Sequence, residues 1–389
     1  MKVAVAPSVL RWACERCGLE QAALVRRFPK LEQWLSGEAA PTLKQLEAFA
    51  RATYTPIGFF FLAAPPEEQP PIPDFRAPDN PFRQRPSANL LDTIYLCQQR
   101  QEWYREFALV TAEPERSFVG SARLDDKVVD VAARIRETLH FSVAERRQLS
   151  SWTEALRLFI EQADAAGILV MINGVVGNNA HRKLNPAEFR GFALADPVAP
   201  LIFINGADTK AGQMFTLAHE LAHIWLGETA LSDADITGET TYRVEQWCNA
   251  VAAELLAPLD ALRQSLRRLE FERVPLREAV DRLARDFKVS RLVILRRLYD
   301  AGAMSDLQFH AEYEQELRRL SELTQRSGGH FYATTTARAG KRFTRAVLTA
   351  VWEGRASFTE ACRLLGIKQH TTLERLSREL EIIPNGLPA

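Results

Sequence analysis

The stretch that most restricts the fold is Phe215-Thr216-Leu217-Ala218-His219-Glu220-Leu221-Ala222-His223-Ile224-Trp225-Leu226-Gly227, a His-Glu-x-x-His inside an apolar segment with helical periodicity. On a helix His219 and His223 lie four apart and share one face. Two neutral imidazoles so placed can reach one zinc ion, and Glu220, beside the first, can reach a water on that ion. Met214, Leu217, Ala218, Leu221, Ala222 and Trp225 would wrap the helix in core, and Gly227 suits the residue just past its end. A buried helix with two hydrogen-bonded histidines would show the same five residues. A third ligand decides between them.

Thr241 through Pro258 reads as a second helix, apolar on most sides and stopped by Pro258. Glu245 and Asn249 are four apart in it, so one face offers a carboxylate to the zinc and an amide to orient a histidine. Val244, Trp247, Cys248 and Val251 argue that Glu245 is buried, and a buried carboxylate requires a partner. The metzincin pattern is excluded, because its glycine place holds Leu226 and its third histidine place holds Thr229. Glu228, Asp233, Asp235 and Glu239 read as solvated residues of a polar loop.

The chain has 389 residues, 47% hydrophobic and 25% charged, enough for two or three domains with their own cores. Lys plus Arg equals Asp plus Glu at 49 each, so binding to nucleic acid or membrane would need a local patch. No apolar run is long enough to span a bilayer, and Met1 through Pro7 lacks a signal-peptide core, which predicts a cytoplasmic protein. Cys14, Cys17, Cys97, Cys248 and Cys362 are odd in number and scattered, in keeping with a reducing compartment. Cys14-x-x-Cys17 reads as small core residues of a helix rather than a metal knuckle or redox pair.

Residues 1–64 read as four or five short helices with tight turns. Leu31-Glu32-Gln33-Trp34-Leu35-Ser36-Gly37-Glu38 followed by Pro41-Thr42-Leu43-Lys44-Gln45-Leu46 resembles the Xre family of helix-turn-helix domains. The resemblance implies DNA contact near Lys30, Gln33 and Trp34. The recognition helix opens with Pro29 and Lys30, where short polar base-reading residues are usual, which counts against sequence-specific reading. Residues 65–88 are a Pro-rich extended linker. Helices are expected over 89–111 and 124–140, with Ser151-x-x-Glu154 as a capping box opening another to Ala166. Ile168–Ile172, Phe189–Leu194 and Leu201–Ile204 read as strands.

This order, with Glu188-Phe189-Arg190-Gly191-Phe192, Pro200 through Asn205, Phe215 through His223 and Glu245 through Pro258, resembles the ImmA/IrrE family of zinc metallo-endopeptidases. The resemblance implies an α+β, mostly helical chain with a minimal gluzincin-like peptidase domain over 89–300, its core at 150–300. In it His219, His223 and Glu245 would hold zinc, Glu220 would act in catalysis, and the strand from Phe189 to Leu194 would edge the cleft. Tyr242 and Arg190 are candidates for oxyanion or substrate contacts. Asp74-Phe75-Arg76, which fused members also carry, is expected to dock the linker on the next domain. Family members cut a partner transcription factor or antitoxin-like repressor, so the expected partner is such a protein, with DNA as a second partner through the N-terminal domain. The alternative is a regulator whose zinc fold is structural or signal-sensing. Intact Glu220 favours the enzyme, since a structural site has no use for a base beside an open zinc position.

Lys288 through Leu298 could pass for a DNA-reading helix, but the similar ending of many ImmA/IrrE domains favours packing. Residues 301–389 are expected to form a helical, HTH-like domain, because Ser357 through Leu376 has helix, Gly-Ile turn and Thr-Thr-opened helix. His140, His181, His310, His330 and His370 have no ligand-like neighbours and receive no metal role.

Overall fold

The computed structural model describes residues 2–76, 80, 82–83, 85–232, 242–324 and 335–382. These fall into two compact units, one within Met1–Pro71 and Pro78–Tyr95 and the other within Ile72–Ala77 and Leu96–Ala389. The architecture is α+β and mostly helical, with one small sheet among the described residues.

In the first unit, α1 (Pro7–Arg16), α2 (Gln21–Arg27), α3 (Leu31–Ser36) and α4 (Leu43–Ala52) enclose Leu10, Leu31, Leu46, Phe49 and Phe60. Thr42 Oγ1 accepts from Gln45 N (3.3 Å) while Gln45 Oε1 accepts from Thr42 N (2.8 Å), a reciprocal cap that sets the start of α4. The six-residue α3 has room for one buried stripe, and Leu31 and Trp34 occupy it. Trp34 stands edge-on to Phe49 at 6.1 Å and is 3% exposed. Its ring therefore serves the core and is not a DNA contact, whereas Lys30 and Gln33 are exposed. Cys14 and Cys17 are free thiols, and burial, with Cys17 and Glu15 nearby, pushes Cys14 up to about 11. A thiol so poised is a packing group rather than a redox centre.

The second unit takes in α5 (Ala88–Val110) from Leu96 onward, then α6 (Val128–Thr138), α7 (Val143–Gln148) and α8 (Trp152–Ala165). Strands β1 (Leu169–Asn173), β2 (Gly191–Leu194) and β3 (Leu201–Asn205) follow, then α9 (Lys210–Leu226), β4 (Ala230–Ser232) and α10 (Arg243–Leu256). The strand order is β1-β3-β2-β4, with β1 parallel to β3 and β2 antiparallel to both its neighbours. The expectation that β2 edges the cleft is corrected here. Both its flanks are paired, and the edge strands are β1 and, on the β2 side, β4, which lies within a stretch read from sequence as polar loop.

The outer edge of β4 is itself covered. Leu231 N donates to Pro73 O and Phe75 N donates to Leu231 O, each at 2.9 Å, so Asp74 lies parallel to Leu231 as a one-bridge strap. Arg76 anchors the strap, fully buried, with Nη1 donating to Glu188 O (3.2 Å) and Nε to Asp74 Oδ1 (2.9 Å). The expected docking of Asp74-Phe75-Arg76 is thus present.

Helix α9 starts earlier than the sequence suggested, at Lys210, because Thr209 Oγ1 accepts from Gly212 N (3.0 Å) and caps it. Gly227 ends it at φ 72°, a left-handed turn that a side chain would strain. α9 packs on α10, and around the pair lie Phe159, Ile202, Leu221, Trp225, Val251 and Leu255 in one core. Three arginines meet the last carbonyls of α10. Arg136 Nη1 donates to Glu254 O (2.8 Å), Arg146 Nη2 to Leu256 O, and Arg297 Nε to Ala257 O (2.8 Å), placing positive charge at the negative end of the helix.

After α11 (Leu259–Leu269) and α12 (Leu276–Phe287), α13 (Arg291–Asp300) buries Leu292, Val293, Ile294, Leu295 and Leu298, as a packing helix should. The last described helices are α14 (Asp306–Thr324), α15 (Thr335–Ala339), α16 (Lys341–Trp352), α17 (Phe358–Leu365) and α18 (His370–Glu379). The last of these are tied to the same unit: Arg100 Nε donates to Leu364 O (3.0 Å), Trp103 Nε1 to Glu360 Oε1 (3.0 Å), and Arg342 Nη2 to Glu113 Oε2 (2.6 Å). Among the described residues no helix is long and apolar enough to cross a membrane.

Candidate metal centre

His219 and His223 project from one face of α9 toward α10, where Glu245 sits in the first turn. His219 Nε2 lies 3.1 Å from His223 Nε2 and 3.2 Å from Glu245 Oε2, and His223 Nε2 lies 3.1 Å from Glu245 Oε1. The histidines are wholly buried and Glu245 is 3% exposed. Asn249, one turn after Glu245, accepts from His219 Nδ1 at 2.8 Å. With the proton on Nδ1, the neutral ring turns a lone pair from Nε2 toward the other imidazole and the carboxylate. Such a convergence of lone pairs and negative charge in a dry site calls for a cation. Ligands at about 2.0–2.1 Å in a tetrahedron stand roughly 3.3 Å apart, close to the separations found here. The donor set therefore fits a metal ion, and the three residues could hold one.

Without a metal, the carboxylate and the imidazoles charge one another instead: burial raises the Glu245 carboxyl, but His219 and His223 outweigh it and hold the group at about 2, and Glu245 lifts His219 against the lowering effect of its burial. Glu220 moves upward because it is wholly buried, against the lowering effect of both histidines and of a hydrogen bond from Ser232. Ser232 Oγ donates to Glu220 Oε1 at 2.5 Å, whereas Glu220 Oε2 and Glu245 Oε1 are buried without a hydrogen-bond partner. A metal ion and a water would satisfy these acceptors.

The remaining sequence candidates fall into two groups. Asn249 joins the cluster directly. Tyr242, just before α10, borders it through Phe75, whose ring stands 5.6 Å from Tyr242 and stacks on His223 at 6.4 Å with 10° between planes. Arg190 instead faces the Asp208 carboxylate at 4.0 Å. Lys30, Gln33 and Trp34 belong to the first unit.

Two participants escaped the sequence reading. Ser232 holds Glu220 from twelve positions away, across the end of α9, and no local pattern announces that. Gly191 lies against the same carboxylate: a Cβ there would meet Thr216 Cγ2 at 2.5 Å, Phe203 O at 2.8 Å and Glu220 Oε1 at 3.1 Å. A lone glycine inside a strand pattern was its available signal.

Comparison with known proteins matches this region. Residues 163–299 match the family model described as the IrrE N-terminal-like domain, of the M78 peptidases. The matched segment holds the sheet, α9 and α10, and it supports a metallopeptidase of the ImmA/IrrE type. Residues 339–379 match a domain of unknown function, DUF8813. No curated protein matches the chain.

Proposed function

We propose that the protein is a zinc-dependent endopeptidase that cleaves a partner protein, a DNA-binding repressor or antitoxin-like regulator, and thereby controls transcription. The observation that carries this reading is the convergence of His219 Nε2, His223 Nε2 and Glu245 within 3.2 Å beside a buried Glu220. His219, His223 and Glu245 would hold the zinc. When bound, it supplies a Lewis acid that polarises a peptide carbonyl and lowers the pKa of water.

Each residue then has a defined task. Glu220 takes a proton from the attacking water and hands it to the leaving amine. Its upward-shifted pKa brings it nearer the working range of such a shuttle, because a carboxylate that is too acidic returns a proton readily but accepts one poorly. Ser232 fixes one oxygen, Oε1, and leaves Oε2 to face the reacting groups. Asn249 holds the His219 ring in the tautomer that presents Nε2. Tyr242, with its ring on the Phe75 side of the site, is the candidate to receive charge on the substrate oxygen.

The test offers the purified protein the DNA-binding regulator encoded beside its gene, with wild type and Glu220→Gln compared at equal zinc loading. Cutting by wild type and none by the variant is expected. Equal cutting by both would remove Glu220 from the chemistry, and no cutting by either would move the site to a structural or sensing role.

A further inference from the structure

We propose that α18 is a reading helix for double-stranded DNA. Helices α16, α17 and α18 bury Phe343, Val347, Leu348, Leu364, Leu365, Leu373 and Leu376, and α17 turns into α18 through Gly366 at φ 68° and a four-residue connection. That is helix-turn-helix construction, in which the second helix enters the major groove by its N-terminal half.

The chemistry of the free face fits the groove. Leu373, Leu376 and Ser377 point inward, which leaves Thr371, Glu374, Arg375 and Arg378 along one stripe with Gln369 and His370 at its start. Arg reads guanine, Gln reads adenine, Glu accepts from cytosine and Thr serves either, so the stripe carries base-reading side chains of several kinds. Arg375 is 70% exposed. Across 341–382 the exposed charges are Lys341, Arg345, Arg355, Arg363, Lys368, Arg375 and Arg378 against Glu353, Glu379 and Glu381, which is 7 minus 3, or +4. This excess faces solvent in a chain that is neutral as a whole. In the first unit the six-residue α3 spends Leu31 and Trp34 on its own core and offers a narrower polar face.

The test measures binding of the full chain to a random-sequence duplex at about 50 mM salt, where phosphate contacts are strong. Arg375→Ala with Arg378→Ala should weaken binding by roughly tenfold to a hundredfold and lower the salt slope, with the melting temperature unchanged. Lys30→Ala with Gln33→Ala should leave affinity within about threefold of wild type. Selection from a random duplex pool should yield a motif that relaxes when Glu374 is replaced by Ala. No binding to duplex, equal affinity for single-stranded RNA of the same length, or insensitivity to Arg375 and Arg378 overturns the assignment.

A separate observation supports a second inference, which rests on the peptidase reading: the strap at residues 73–76 restrains the site. Its backbone bonds to Leu231 take the donor and acceptor that β4 would otherwise present to an extended substrate, and the Phe75 ring covers His223. The strap runs parallel to β4. A peptide bound antiparallel to that edge would present its scissile bond with the opposite polarity, so the strap fills the place without mimicking a substrate. Phe75→Ala should speed amide exchange at Leu231 in the metal-free protein and, in the zinc-loaded protein, tighten binding of a small hydroxamate about tenfold. Both readouts are independent of peptide cleavage. Tighter hydroxamate binding without cutting would leave the strap in place and remove the peptidase; unchanged exchange or unchanged hydroxamate affinity would remove the strap.

Discussion

Gly191 shows how closely the site is fitted. Two of the three atoms that a methyl group would strike are a strand carbonyl and a side chain of α9, and neither can retreat without disturbing sheet or helix. Gly191→Ala should lower unfolding free energy by about 1–3 kcal/mol, read from denaturant midpoints. Asp164, near the end of α8, gives a pH signature: burial raises its carboxyl from the ordinary 3.8 to about 7. A raised folded-state value favours the protonated form, so the stabilisation is complete below about pH 4 and is lost as pH climbs through about 7. Wild type should therefore lose about 2–3 kcal/mol of stability between about pH 5 and pH 8 relative to Asp164→Asn. Parallel pH dependence in the two proteins would contradict that assignment.

The carboxyl end of α10 is where an element-level prediction can be made. Arg297 pairs with the Glu254 carboxylate and donates to Ala257 O, both partners being buried. Arg297→Met alone should cost about 3–5 kcal/mol, because Glu254 is left buried without its ion-pair partner, and adding Glu254→Met should recover much of the loss. A double-mutant cycle with no coupling would show that the pair does not act as a unit.

The elements that sequence made legible are those with a long period. The α9 and α10 helices carry apolar faces over many turns, and His219, His223, Glu245 and Asn249 follow from spacing on those faces. β4 was hidden because three residues are too few for a two-residue alternation to stand out. Its presence then moved the edge position on that side of the sheet from β2 to β4, which no reading of Phe189–Leu194 alone could show. The Ser151 cap illustrates a smaller slip: Ser151 Oγ does accept from Glu154 N (3.3 Å), but Glu154 answers to Ser150 N (2.8 Å) instead of Ser151 N. Trp34 was misplaced for a related reason, since a six-residue helix gives too short a pattern to separate its buried from its exposed side.

In the second unit as a whole, the candidate ligands come from two helices at the centre of one core, so binding of a metal there would be coupled to folding. Zinc at about a thousand times its dissociation constant should stabilise the fold by about 4 kcal/mol, and a chelator should lower the melting temperature reversibly. A melting temperature indifferent to zinc would detach the metal from the fold. The C-terminal helices share this unit through Arg100, Trp103 and Arg342.

The most direct test of the metal site is zinc content per chain after exhaustive dialysis, measured on wild type, Glu220→Gln and Glu245→Gln. One zinc is predicted in wild type and in Glu220→Gln, because the proposed mechanism makes Glu220 the base and not a ligand, and a small fraction of one in Glu245→Gln. Full occupancy in Glu245→Gln, or loss of zinc in Glu220→Gln, would contradict the assignment of ligands and base.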